Sequence, residues 1–190
     1  MGILDEKMAR ELLSTTTTEP HLLNHALAVS SAMGAMARYF GEDEEYWKAV
    51  GFLHDFDYQQ YPQEHLQHTE QPLREAGVDE ESIRAIMAHG YGLVSDVKPE
   101  TKLEKSLYAV DEMTGLISAT ALMRPSGISD LTPKSVNKKF KDKAFAAKID
   151  RDVIRNGSEM LGMELNELIR ICIEGMSGEM DALGIGPKEE

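Results

Sequence analysis

The sequence is short of cysteine, of basic residues relative to acidic ones, and of long apolar runs, and each shortage removes a class of protein. A single cysteine, Cys172, rules out an internal disulfide framework and suits a reducing interior. No apolar stretch approaches the roughly 18 residues that a bilayer-spanning helix needs. The opening segment, MGILDEKMARELL, is acidic and amphipathic and lacks the positive start of a secretory signal. Lysine and arginine number 20 against 33 aspartates and glutamates, a net charge of −13. Such a surface repels nucleic-acid backbone and anionic membrane, so general affinity for either is disfavoured. A cytoplasmic protein is expected.

What the chain has instead is helical periodicity. Its 190 residues suffice for one domain with a sizeable core. Nearly every long segment repeats apolar residues at a spacing of three to four, and no alternating strand pattern stands out. Glu19-Pro20 opens a helix whose stripe (Leu22, Ala26, Val29, Met33) stops before Gly41. A second is expected from Asp43 to about Asp57, burying Trp47, Val50 and Leu53. A third should run from Pro62 to Ala76-Gly77, and a fourth from Asp79 to His89-Gly90. After a loop over 91–99 a long helix spans about 101–123, and shorter ones follow near 132–143, 150–161 and 164–182. The reading is a single all-α domain.

Several polar residues fall on the apolar side of these helices. His25 lies between Leu22 and Val29, His54 follows Val50 and Leu53, and His89 follows Ile86. Asp111 belongs to the series Leu103, Leu107, Val110, Thr114, Ile117. One inward histidine is ordinary, but an inward carboxylate is rarely buried without a partner. Four helices each offering such a group point to a shared divalent cation, which satisfies imidazoles and carboxylates together. Asp55 sits beside His54, about 100° round a helix axis, so one ion near that helix's end can take both.

His25, the tandem His54-Asp55 and Asp111 resemble the H…HD…D signature of the HD-domain superfamily of metal-dependent phosphohydrolases. The resemblance covers roughly residues 20–123 and implies an all-α helical bundle, with 124–184 as an additional C-terminal helical part of one domain over 1–190. It implies that His25, His54, Asp55 and Asp111 are primary metal ligands. In the two-metal branch of the superfamily further histidines lie between the HD pair and the last Asp. His65 in EHLQHTEQPLREAG and His89 in IMAHG resemble these, with His68, one turn on, the alternative to His65. Asp55 would then bridge two ions, with iron, manganese, zinc, cobalt or nickel all compatible. The pattern departs from the family in two places. Gly92 stands where a Gly-Tyr-Pro segment would have proline, so cyclic-dinucleotide hydrolysis is not implied. Tyr58 stands where some HD nucleotide phosphatases carry a glutamate, which leaves Asp57 as the candidate orienting group or general base.

The chemistry this implies is hydrolysis of a small phosphorylated or nucleotide-like substrate by metal-activated water. An anionic substrate needs local positive charge, and KSVNKKFKDKAFAAK over 134–148 supplies lysines in an otherwise acidic chain. Lys138, Lys139, Lys141 and Lys143 are therefore candidates for binding phosphate, as is Arg124 with its forked guanidinium. A di-iron oxygenase using the same ligands, and a non-catalytic ligand-binding module, are the alternatives. Cys172, between Ile171 and Ile173, reads as a small core residue and not a nucleophile.

Overall fold

The computed structural model describes residues 3–190, and among them every extended element is a helix, apart from one isolated bridge between Tyr91 and Ser95. Ten helices follow in order: α1 (Glu6–Ser14), α2 (Pro20–Phe40), α3 (Glu44–Leu53), α4 (Glu70–Glu75), α5 (Glu80–Ala88), α6 (Lys102–Leu122), α7 (Pro133–Lys141), α8 (Arg151–Leu161), α9 (Leu165–Ser177) and α10 (Met180–Leu183). Their starts are chemically marked. Asp5, Asp43, Asp79 and Asp150 each accept a backbone N–H of the first turn, and Thr101 with Glu104 closes a reciprocal capping box on α6. Gly41 ends α2 in the left-handed conformation, at φ 68°.

The two longest helices, α2 and α6, form the centre. α3, α6 and α9 pack on α2, while α5, α7 and α8 pack on α6. Leu53, Met33, Met36, Leu107, Met113, Leu116 and Ile117 are fully buried between them. One contact decides the position of the polar groups. A Cβ on Gly51 of α3 would lie 2.9 Å from Met33 Cγ and 3.1 Å from the Val29 carbonyl of α2, so only glycine allows this approach. His54 lies one turn beyond Gly51 and His25 one turn before Val29, and the close crossing brings them together. No helix among the described residues is long and apolar enough to cross a membrane.

Three expected boundaries shift. The helix from Asp43 ends at Leu53 instead of Asp57, and the chain continues in three-residue turns, with Phe56 N–H bonding Leu53 O and Tyr58 N–H bonding Asp55 O, each at 3.0 Å. The helix expected from Pro62 to Ala76 is a single 3-10 turn (Pro62–Glu64), an extended His65, a left-handed Leu66 at φ 70°, and only then α4. The Asp57 carboxylate draws this segment away from helical geometry by accepting from His65 Nδ1 at 2.7 Å and from the His68 backbone N–H at 3.0 Å. Leu66 holds its unfavourable backbone by burying its side chain, 3% exposed, next to Gly90. The last helix breaks at Gly178 into α9 and α10.

Candidate metal centre

Six side chains converge where α2, the end of α3, the segment before α4, the end of α5 and the middle of α6 meet. His25 Nε2 lies 3.2 Å from His54 Nε2 and 2.9 Å from Asp111 Oδ1, and His54 Nε2 lies 3.1 Å from the same oxygen. Asp55 Oδ2 completes this first group at 3.5 Å from His25 and 3.3 Å from His54. The second oxygen, Asp55 Oδ1, faces elsewhere, 3.2 Å from His65 Nε2 and 3.5 Å from His89 Nε2, which are themselves 3.2 Å apart. Donors about 2.1 Å from a common ion stand about 3.0 to 3.4 Å from one another at right-angled to tetrahedral geometry. The first group spans 2.9 to 3.5 Å and the second 3.2 to 3.5 Å, close to that spacing, and Asp55 belongs to both.

The far sides of the rings fix what the near sides offer. His54 Nδ1 donates to the Gly51 carbonyl at 2.6 Å, and His89 Nδ1 to the Ile86 carbonyl at 2.5 Å. A carbonyl can only accept, so both Nδ1 atoms carry hydrogen. Asp57, 1% exposed, takes the Nδ1 hydrogen of His65 in the same way. With Nδ1 so engaged, each of the three rings in its neutral form turns the Nε2 lone pair toward the other rings and toward carboxylate oxygens. That arrangement is repulsive unless protons or a cation lie between them, and four imidazoles with two carboxylates suit a borderline divalent ion.

Without an ion the cluster pulls protons in. Burial opposes charge on His54, yet Asp55 and Asp111 hold it well above the ordinary imidazole range. His25 is raised too: burial opposes its charge, and the bond to Asp111 prevails. His65 is pushed up to about 9 against burial by Asp55 and Asp57. Burial likewise opposes ionisation of Asp55 and Asp111, and His54 holds both well below the usual carboxylate range.

The centre opens into a cavity of about 420 Å³ lined by Leu22, Tyr58, Leu93, Val94, Glu112 and Ile149 besides His25, Asp55, His65, His89 and Asp111. Glu112 accepts the Asp150 backbone N–H at 3.2 Å, and burial with the Asp111 charge pushes it up to about 7. Glu112 and Ile149 carry no motif and went unread in the sequence. His21, which also lines the cavity, had one signal, its place one turn before His25.

The remaining candidates lie elsewhere. Asp57 sits behind His65, accepts from its Nδ1 and does not line the cavity. His68 stacks on Tyr61 with centroids 3.7 Å apart and is not among the clustered donors. The cationic candidates do not line the cavity. Arg124 forks onto Asp130 at 3.0 and 3.1 Å. Lys138 and Lys141 line a separate cleft with Lys134 and Asn166. Lys139 lies 4.7 Å over the Phe145 ring, and Lys143 lines a cleft beside Asp150. The lysine-rich face of α7 belongs to the surface it shares with α9, so its charge is local to another part of the molecule.

Residues 22–153 match the HD domain family. No curated protein and no solved structure gives a match.

Proposed function

The chain belongs to the HD domain family, whose members are mostly metal-dependent hydrolases, and from that premise we propose that it hydrolyses a small phosphorylated substrate at a two-metal centre. The observation that carries this reading is the Asp55 carboxylate, which turns one oxygen to His25 and His54 and the other to His65 and His89. His25, His54, Asp111 and Asp55 would hold one ion, and Asp55, His65 and His89 the other. A divalent pair bound there would supply activated water near neutral pH and neutralise charge on phosphoryl oxygens. The protein's part is to fix the donors. Backbone carbonyls and Asp57 set the tautomers of His54, His89 and His65, and Leu22, Leu93, Val94 and Ile149 give the substrate side an apolar wall.

Cys172 is fully buried, its thiol pushed up to about 12 by burial alone, so it offers no nucleophile. The complete donor set and the open cavity argue against a non-catalytic module. A di-iron oxygenase is the second reading, because four histidines and a bridging carboxylate also suit an iron pair. A screen of phosphomonoesters, phosphodiesters and nucleotides with manganese, cobalt or iron separates the two. Oxygen-independent phosphate release, stopped by EDTA and absent in Asp55→Ala, is the expected result. Turnover only in the presence of oxygen, without phosphate release, would favour the oxygenase.

A further inference from the structure

The wall beside the clustered histidines and aspartates is mostly apolar, and it offers a polyanion no fixed positive charge. Leu22, Leu93, Val94 and Ile149 form most of it, with Tyr58 and His21 at its edge, and among the described residues no lysine or arginine lines the cavity. Its one carboxylate apart from the ligands is Glu112. Leu93 is 66% exposed, Val94 47% and Tyr58 39%, so three of the chain's exposed large hydrophobics meet at one mouth. The loop that presents them is built, not loose. The Gly90 carbonyl accepts the N–H groups of Leu93, Val94 and Ser95 at 3.1, 2.9 and 3.1 Å, and Gly92 makes its turn at φ 81°. On the opposite side, a Cβ on Gly115 would lie 2.7 Å from Ile149 Cδ1. The missing methyl lets Ile149 close down on α6 one turn beyond Asp111.

Charge sets the size of the anionic head. Two divalent ions held by Asp55 and Asp111 leave two net positive charges, enough for one phosphate dianion. A second or third phosphate would find neither lysine nor arginine among the described residues lining the cavity, and would lie beside Glu112 and His21.

We propose, resting on the phosphohydrolase reading, that the substrate carries a single phosphate on a small apolar organic body, with Leu93, Val94 and Ile149 as its specificity-determining contacts, and that nucleoside di- and triphosphates are excluded. The volume of about 420 Å³ lies in the range of small-molecule sites.

The test uses manganese-loaded protein and two series of rising chain length, n-alkyl phosphates for turnover and n-alkylphosphonates, which cannot be hydrolysed, for binding by calorimetry. Each added methylene should raise kcat/KM for the esters and affinity for the phosphonates by about fourfold until the cavity is filled. ADP and ATP should be poorer by about a hundredfold or more. Leu93→Ser should flatten the length dependence while leaving manganese content unchanged. Phosphonate affinity that rises with length without phosphate release from any ester would remove the hydrolase reading and keep this assignment of the cavity. Affinity independent of length, or ADP and ATP equal to the alkyl compounds, would overturn the proposal.

Discussion

The buried carboxylate of Asp57 holds His65 Nδ1 at 2.7 Å, and through that bond it turns Nε2 of a residue outside any helix toward Asp55. Outer partners of this kind fix ring orientation and contribute about 10–100-fold in metal affinity. Asp57→Ala should therefore weaken the second ion by that factor and leave the first nearly intact. Manganese titration by calorimetry should show two sites becoming one strong and one weak. Two unchanged sites would mean that Asp57 has no hold on the centre.

Metal and protons compete for the same atoms. His54 and His65 are raised above the ordinary imidazole range in the metal-free cluster, His65 to about 9. A raised folded-state value means that the protonated cluster stabilises the metal-free fold below the unfolded value of about 6.5, a contribution lost as pH rises through about 9. Metal binding has the opposite sign: affinity should rise with pH, with about one or more protons released per ion at pH 7. Calorimetry in two buffers of different ionisation enthalpy measures that release, and none should be seen if the imidazoles are already deprotonated.

Asp79 makes a prediction far from the centre. Its carboxylate accepts from Tyr46 Oη at 2.6 Å, from the Leu4 backbone N–H at 3.0 Å and from Ser82 N–H at 3.0 Å, joining α3, the start of the chain and the cap of α5. Burial opposes its ionisation, but these donors hold the carboxyl below the usual carboxylate value of 3.8. A depressed folded-state value gives stability present above that pH and lost as pH falls through the lowered one. Asp79→Ala should cost about 1–2 kcal/mol at pH 7 in urea unfolding. The difference from the unmodified protein should shrink in strong acid.

Cys172→Ala separates packing from chemistry. Removing a fully buried sulfur should destabilise the fold by about 1 kcal/mol and leave turnover within experimental error. A large loss of turnover at unchanged stability would give the thiol a role that its burial denies.

How much of this was legible in the sequence follows from where each residue sits. His25, His54, His89 and Asp111 are on or at the ends of regular helices, so the three-to-four spacing that marks a buried face also placed them. His65 is marked only by the resemblance, and the helix expected to carry it begins only at Glu70. Its true support is an extended backbone held by Asp57 and by a strained Leu66, which no periodicity announces. The lysines of α7 were read correctly as a basic helix and assigned to the wrong neighbourhood. Local pattern tells which face is charged, and only the packing of α7 on α9 and α6 tells what that face meets. Glu112 and Ile149 belong to the cavity through tertiary contacts alone.

The central claim is that Asp55 joins two ions, and anomalous diffraction from crystals grown with manganese tests it most directly. Two peaks about 3.5–4 Å apart are expected. One should be bonded by His25, His54 and Asp111, the other by His65 and His89, with one oxygen of Asp55 on each. A single peak in the presence of saturating manganese, or two peaks that do not share Asp55, would contradict it.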